Sequence, residues 1–394
     1  MKNKTNQLVI IFCFLSVAVK AQEVLIDMQY NSVIQREASK TSSSNFKIQV
    51  SSFDTISLPL IDDFSKQGIY PDTTYWIDKN VFINTDYPFY PPTIGVATFD
   101  GVDPFGNPYD FLNPTSYGIA DYLTSRPVRL DSNAFTKLSP ADSVYLSFFY
   151  QPQGRGNAPD LDDSLVLEFK TNDSLWTHIW SVPGRNIIGD TAFKQVMISV
   201  SDSIYFYKGF QFRFKNYATL SGNVDHWNID YVRLDKLRNA NDTVIDDVAF
   251  VYNTGTLLKN FQQMPWQHYL VDTSAELKST LYNTISNLDD SVKLLRYYYL
   301  ISEGCPGNNL LDSVSGGDDN IESYFTNGYH NVPSQAAPPV NYIFPSNSKD
   351  SAEFEIKHVI IDKSNPLSNK SNSRPKTKPA QRIRRLPMWQ APRV

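Results

Sequence analysis

The run FQFRFK puts Phe210, Phe212 and Phe214 on one side of an extended chain and Gln211, Arg213 and Lys215 on the other. A helix would scatter those rings around its surface, whereas a strand with one buried face collects them. The same period of two recurs in SLVLEFK, with Leu165, Leu167 and Phe169 in phase, and in QVMISVS, with Val196, Ile198 and Val200 in phase. VYLSFFYQ (144–151) and WTHIWSV (176–182) are further apolar and aromatic runs. QGRGNAPDLDD, PGRNIIGD and SGN are turn-rich and separate them. Such strands between polar turns, without a long helix, predict an all-β sandwich or jelly roll.

At 394 residues the chain has room for two folded units. The strand pattern fills 56–236. A connector follows over 237–271, where LLKNFQQMPW predicts a short helix ended by Pro265. A second pattern over 272–361 (LKSTLYNTI, SVKLLRYYYLI, ESYFTNGY, AEFEIKHVII) suits a smaller immunoglobulin-like β-sandwich. Residues 22–55 read as a leader ending in a first strand.

The start is a targeting signal. Lys2 and Lys4 precede the apolar run LVIIFCFLSVAV, and cleavage is expected after Ala21, giving a signal peptide over 1–21. The apolar run is too short to span a bilayer comfortably, so no transmembrane span is expected. Cys13 leaves with the signal, so Cys305 has no internal disulfide partner and reads as incidental. Three lysines leave with residues 1–21 and nine basic residues lie beyond Asp362. The body between keeps 24 basic against 41 acidic residues, a net charge of −17, which argues against nucleic acid as a partner. The tail 362–394 is basic and rich in Ser, Asn and Pro, and reads as disordered.

The order LPLIDDFS (58–65), ADYLTSRPVRLDS (120–132), VYLSFFYQ, DSLVLEFK and GFQFRFKNYATLSGNVDHWNIDYVRL (209–234) resembles the MAM-like, concanavalin A-type jelly rolls of Bacteroidetes surface proteins, a group associated with type IX secretion. The resemblance covers roughly 56–236 and implies that the first and last strands lie side by side. Carboxylates of Asp62, Asp63 and Asp230 would then meet at the sandwich edge as a structural Ca²⁺ site, completed by loop carbonyls. The competing reading makes them ordinary strand-edge and turn acceptors. The tail lacks the Gly- and β-rich look of the sorting domain that the group often carries.

The remaining chemistry is sparse. Asp225-His226-Trp227 suggests a ligand platform or a catalytic pair, but triads assemble in space rather than along the chain. The plainer reading puts Trp227 in the core and His226 at the edge. A glycosidase needs two facing carboxylates, and LVLEFK offers Glu168 with no second acid at i+2 or i+4. HExxH, GxSxG, a P-loop and GxGxxG are absent. The loop YPFYPPTIGV (87–96) offers rings for a sugar or a protein partner, unless its prolines and tyrosines pack on each other.

Asp followed by Ser or Thr and then an apolar residue or Thr recurs at Thr55, Thr73, Ser143, Ser164, Ser174, Thr191, Ser203, Thr243, Ser291, Ser313 and Ser351. It resembles the O-glycosylation signal of exported Bacteroidetes proteins. Asp-Ser is also a favoured turn pair before a strand. The combined expectation is an exported, non-enzymatic module that binds protein or glycan at the cell exterior. The alternatives are a glycan-active hydrolase with an unrecognised acid pair, and a truncated fragment of a larger surface protein.

Overall fold

In the computed structural model, the described residues are 30–42, 55–133, 136–185, 192–253, 258–261, 264–303, 309–327, 330–331, 354–364, 376–377 and 381–382. The expected signal peptide 1–21, Cys13, Cys305, Thr191 and Ser351 lie outside them.

The first unit runs through β1 (Leu60–Asp62), β2 (Phe82–Asn84), β3 (Val96–Phe99), β4 (Tyr117–Thr124), β5 (Val128–Arg129), β6 (Ser132–Asn133), β7 (Thr136–Lys137), β8 (Tyr145–Pro152), β9 (Ser164–Lys170), β10 (Trp176–Pro183), β11 (Lys194–Ser199), β12 (Lys208–Phe210), β13 (Phe212–Thr219) and β14 (Trp227–Asp235). One sheet has the order β11-β8-β14-β3-β2, with β1 also on β14; the facing sheet is β10-β9-β13-β4. The first and last strands therefore pair, with Leu60 opposite Leu234 and Asp62 opposite Val232.

Alternation builds the core between the sheets. Phe210, Phe212 and Phe214 are fully buried, as are Leu165, Leu167 and Phe169, and they meet Leu146, Phe148, Trp227 and Ile229 of the other sheet. Each such side chain stabilises the fold by about 1.5–3 kcal/mol relative to exposure. Phe148 stands edge-on to Phe214 and Trp180, the geometry that ring quadrupoles favour.

The leader carries a helix at Ser32–Ser42, not only a strand. Asn31 accepts the Val33 and Ile34 N–H groups, and Ile34 packs on Phe82 and Val102. Pro265 begins a helix, Trp266–Val271, rather than ending one. Proline suits a helix start because its lost N–H would be unpaired there anyway.

The second unit contains β15 (Val248–Phe250), β16 (Thr284–Asn287), β17 (Lys293–Glu303), β18 (Asn309–Ile321), β19 (His330–Asn331), β20 (Phe354–Asp362), β21 (Lys376–Thr377) and β22 (Gln381–Arg382). Sheets β15-β16-β19 and β18-β17-β20-β21 enclose a core of Phe250, Ile285, Leu295, Tyr297, Ile301 and Ile356. β15 brings part of the segment read as a connector into this sandwich. The segment ESYFTNGY forms a short helix, Tyr324–Asn327, and not a strand. Within the tail expected to be disordered, Lys376–Thr377 and Gln381–Arg382 pair along β20, whose open edge offers them backbone partners.

The units meet at an apolar seam of Phe149, Ile245 and Leu288, joined by Phe193, Tyr231 and Tyr324. A bulge in β14 between Asp230 and Arg233 gives Tyr231 a φ of 48° and brings it into that seam.

Candidate functional site

The outward face of the sheet β10-β9-β13-β4 gathers the side chains that alternation turns away from the core. Its cross-strand rows are His178–Glu168–Arg213–Thr124, then Ser181–Val166–Lys215–Tyr122, then Ser164–Tyr217–Ile119. Glu168 is central. Arg213 Nε donates to its Oε2 at 2.7 Å, and Lys215 Nζ lies 2.7 Å from its Oε1. Burial alone would raise the Glu168 carboxyl, but the Lys215 and Arg213 bonds and charges outweigh it and hold it below the usual range.

Rings surround this charged knot. The Arg213 guanidinium lies 4.1 Å from the Trp176 centroid and 4.9 Å from that of Tyr122. Lys215 lies 5.5 Å from the Tyr217 centroid, and Tyr217 stacks with Tyr117 at 6.3 Å. Cation–π contacts of this kind hold each ring in place. Tyr117 and Ile119 are exposed, while Trp176, Tyr122 and Tyr217 are half-buried. The result is a fixed aromatic surface interleaved with charged and hydroxyl groups.

The three aspartates expected to share a Ca²⁺ do not share one face of the sheet. Asp62 follows Leu60 on the core side of β1, where both its oxygens accept: Oδ2 from Trp76 Nε1 at 2.7 Å and Oδ1 from the Phe64 N–H at 3.0 Å. Burial, relieved in part by those bonds, pushes its carboxyl up to about 6. Asp230 sits opposite Phe149, a seam residue, and so on the other face of the same sheet. It accepts from Thr93 N at 2.9 Å and from Thr93 Oγ1. Asp63 accepts from Ser65 on its side chain and from Thr93 Oγ1 on its backbone. Thr93 thus joins Asp63 to Asp230, while the pleat separates Asp62 from both. Among the described residues no three carboxylate, imidazole or thiol groups are placed to hold a metal.

His226 and Trp227 are both buried. The Asn157 N–H donates to His226 Nδ1 at 2.9 Å, which leaves Nε2–H to donate to Asn223 Oδ1 at 2.9 Å. Burial lowers its pKa to about 4, so the imidazole is neutral. Tyr87 stacks on it at 4.7 Å, and a Cβ on Gly156 would lie 2.4 Å from its Nδ1, so only glycine fits beneath the ring. This histidine braces loops and is not at the edge. The loop 87–96 is committed in the same way. Tyr87 covers His226, Phe89 and Tyr252 flank Arg155, and Tyr324 donates to the Tyr90 carbonyl.

The Asp-Ser and Asp-Thr tripeptides lie mostly at turns. Asp72 accepts the Thr74 N–H, Asp173 the Leu175 N–H and Asp202 the Ile204 N–H. Thr73, Ser143, Ser174, Ser203, Ser291 and Ser313 are exposed; Thr55, Ser164 and Thr243 are half-buried.

The open aromatic face was the part that sequence reasoning missed. Arg213 and Lys215 were legible as the polar side of a strand, but nothing local tied them to Trp176 and Tyr122.

No family model matches the chain. No curated protein matches it either. Solved structures resemble it in part. A Caldicellulosiruptor saccharolyticus carbohydrate-binding module in complex with mannohexaose shares 12% identity at a TM-score of 0.26, over 45% of this chain and 96% of that one. A family 16 carbohydrate-binding module shares 10% at 0.23, over 42% of this chain and 99% of that one. An arabinose-bound α-L-arabinofuranosidase shares 12% at 0.27, over 45% of this chain and 26% of that one. This chain therefore spans about a quarter of the arabinofuranosidase. Likenesses at that distance carry no argument about function; the all-β fold class rests on the strands themselves.

Proposed function

We propose that the protein is an exported glycan-binding module that engages sugar with the outer face of β10-β9-β13-β4. One observation carries this reading: Trp176, Tyr122 and Tyr217 are held in place by Arg213 and Lys215, which Glu168 locks together. Sugar rings present apolar C–H faces and a rim of hydroxyls. Fixed aromatic surfaces take the former, and the neighbouring Glu168, Arg213, His178 and Ser181 serve the latter. Preorganised side chains lose little entropy on binding. Export and membership of the MAM-like surface group are part of the proposal; the first rests on the N-terminal targeting pattern and the second on the sequence resemblance. No helix among the described residues is long and apolar enough to cross a membrane.

Affinity electrophoresis tests the reading. The full chain should be retarded in a gel containing at least one of mannan, xylan, a mixed-linkage glucan or pectin. Unretarded migration in all four contradicts it.

The hydrolase reading has one observation in its favour. Asp62, pushed up to about 6 by burial, and Asp72, held low despite its burial by Lys66 and the Thr74 N–H, line one cavity of ≈ 150 Å³. Divergent acidities in one cavity are what acid–base catalysis needs. Release of reducing sugar from those polysaccharides, abolished in both Asp62→Asn and Asp72→Asn, would establish it.

A further inference from the structure

We propose a second binding site, apart from the sheet face, that takes the carboxylate of an acidic sugar. It is a cleft at the open rim of the sandwich, where the ends of β8, β10 and β14 converge on the loop that holds Ala158 and Pro159. It goes beyond the reading above and stands whether or not the sheet face binds anything.

The first observation is an unsatisfied donor. Trp227 lines the cleft; its side chain is 1% exposed, and its indole Nε1 is buried without a hydrogen-bond partner. Native structures pair roughly 90% or more of such groups, because leaving one unpaired is costly. Among the described residues nothing accepts from it, so an acceptor from outside would relieve that cost. The second observation is room of the right size. The cleft offers ≈ 30 Å³ to the centres of water-sized groups, within ≈ 380 Å³ of empty space that includes open solvent. That room suits a small polar group inside, with the rest of a sugar at the open mouth.

The third observation is charge. Arg185 and Lys194 both line the cleft, on a chain whose net charge is −5. Arg185 is exposed and has no ion-pair partner among the described residues. A guanidinium fork matches a carboxylate in both charge and geometry. The walls are Tyr150, Pro159, Val182 and Pro183, which offer flat apolar surfaces to the C–H face of a pyranose. A buried donor, two cations and apolar walls together select a hexuronate over a neutral hexose.

The test is a ligand-observed NMR titration of the full chain with D-glucuronate, D-glucose and acetate. Glucuronate should bind with a Kd on the order of 1 mM, the affinity that about 4 kcal/mol provides. Glucose and acetate should each bind at least about tenfold more weakly, a difference of about 1.4 kcal/mol. Arg185→Gln is exposed and leaves the core intact, and it should weaken glucuronate about tenfold. Trp227→Phe keeps the ring but removes the donor, and should weaken it similarly. Equal binding of glucose would overturn the carboxylate, and equal binding of acetate would overturn the sugar. Unchanged affinity in Arg185→Gln would overturn the site.

Discussion

Arg213 packs its guanidinium 4.1 Å from the Trp176 centroid while its Nε donates to Glu168 at 2.7 Å. One cation thus serves as a ring clamp and as half of an ion pair. The two roles reinforce each other, because the carboxylate fixes the plane against which the indole lies.

That coupling makes Glu168 a keystone. Glu168→Gln should leave the largely buried Arg213 and Lys215 side chains without their anion and destabilise the domain by about 1–3 kcal/mol. Thermal melts would read this as a drop of about 2–4 °C per kcal/mol. The folded-state pKa of Glu168 is depressed. Its contribution is therefore present above the unfolded value near 4.5 and lost as pH falls through the folded value. The gap between wild type and variant should be full at pH 7 and close in acid.

A second pH effect has the opposite sign. Asp121 is fully buried beside Asp100, and burial pushes it up to about 7. Tyr109 donates to its Oδ1, and the Asp100 N–H to its Oδ2. Burial, followed by the Asp121 charge, raises Asp100 as well. A raised carboxyl contributes stability fully below its unfolded pKa near 4 and loses it as pH rises through the folded value. His226, lowered to about 4, works the other way up to its unfolded pKa near 6.5. Between pH 6.5 and 8 the carboxyls act unopposed, so the melting temperature should fall by several degrees. Asp121→Asn should flatten that slope; an equal slope in the variant would rule out the pair as its source.

Calcium should not alter stability through Asp62, Asp63 and Asp230. Each is already engaged by protein donors, and the pleat divides them. Melts in excess EDTA and in added calcium should coincide, whereas a rise of several degrees that Asp63→Ala plus Asp230→Ala abolishes would restore the metal site. Trp76→Phe removes the indole donor to Asp62 and should cost about 1–3 kcal/mol in either buffer.

Strand existence was legible wherever one face is apolar. Leu165, Leu167, Phe169 and Phe210, Phe212, Phe214 are all buried, as their spacing requires. β18, Asn309–Ile321, was not legible: NLLDSVSGGDDNI is polar and glycine-rich, and it lies at a sheet edge where half-burial leaves no alternation to read. The adjacency of β1 and β14 followed from the resemblance, yet the face each aspartate occupies did not. A bulge at Asp230–Arg233 changes the phase, and no local residue pattern announced it. The proposed binding face depended on strand order. Trp176 reaches Arg213 only because β10 and β13 flank β9, and pairing between strands so far apart in sequence leaves no local trace.

The central claim is that this face binds sugar, and calorimetry reads it directly. The full chain and its Trp176→Ala variant would be titrated with whichever of the four polysaccharides retards migration most. The variant should bind at least about tenfold more weakly, a loss of about 1.4 kcal/mol, at an unchanged melting temperature. Undiminished affinity in Trp176→Ala would place the sugar elsewhere on the molecule and contradict the account.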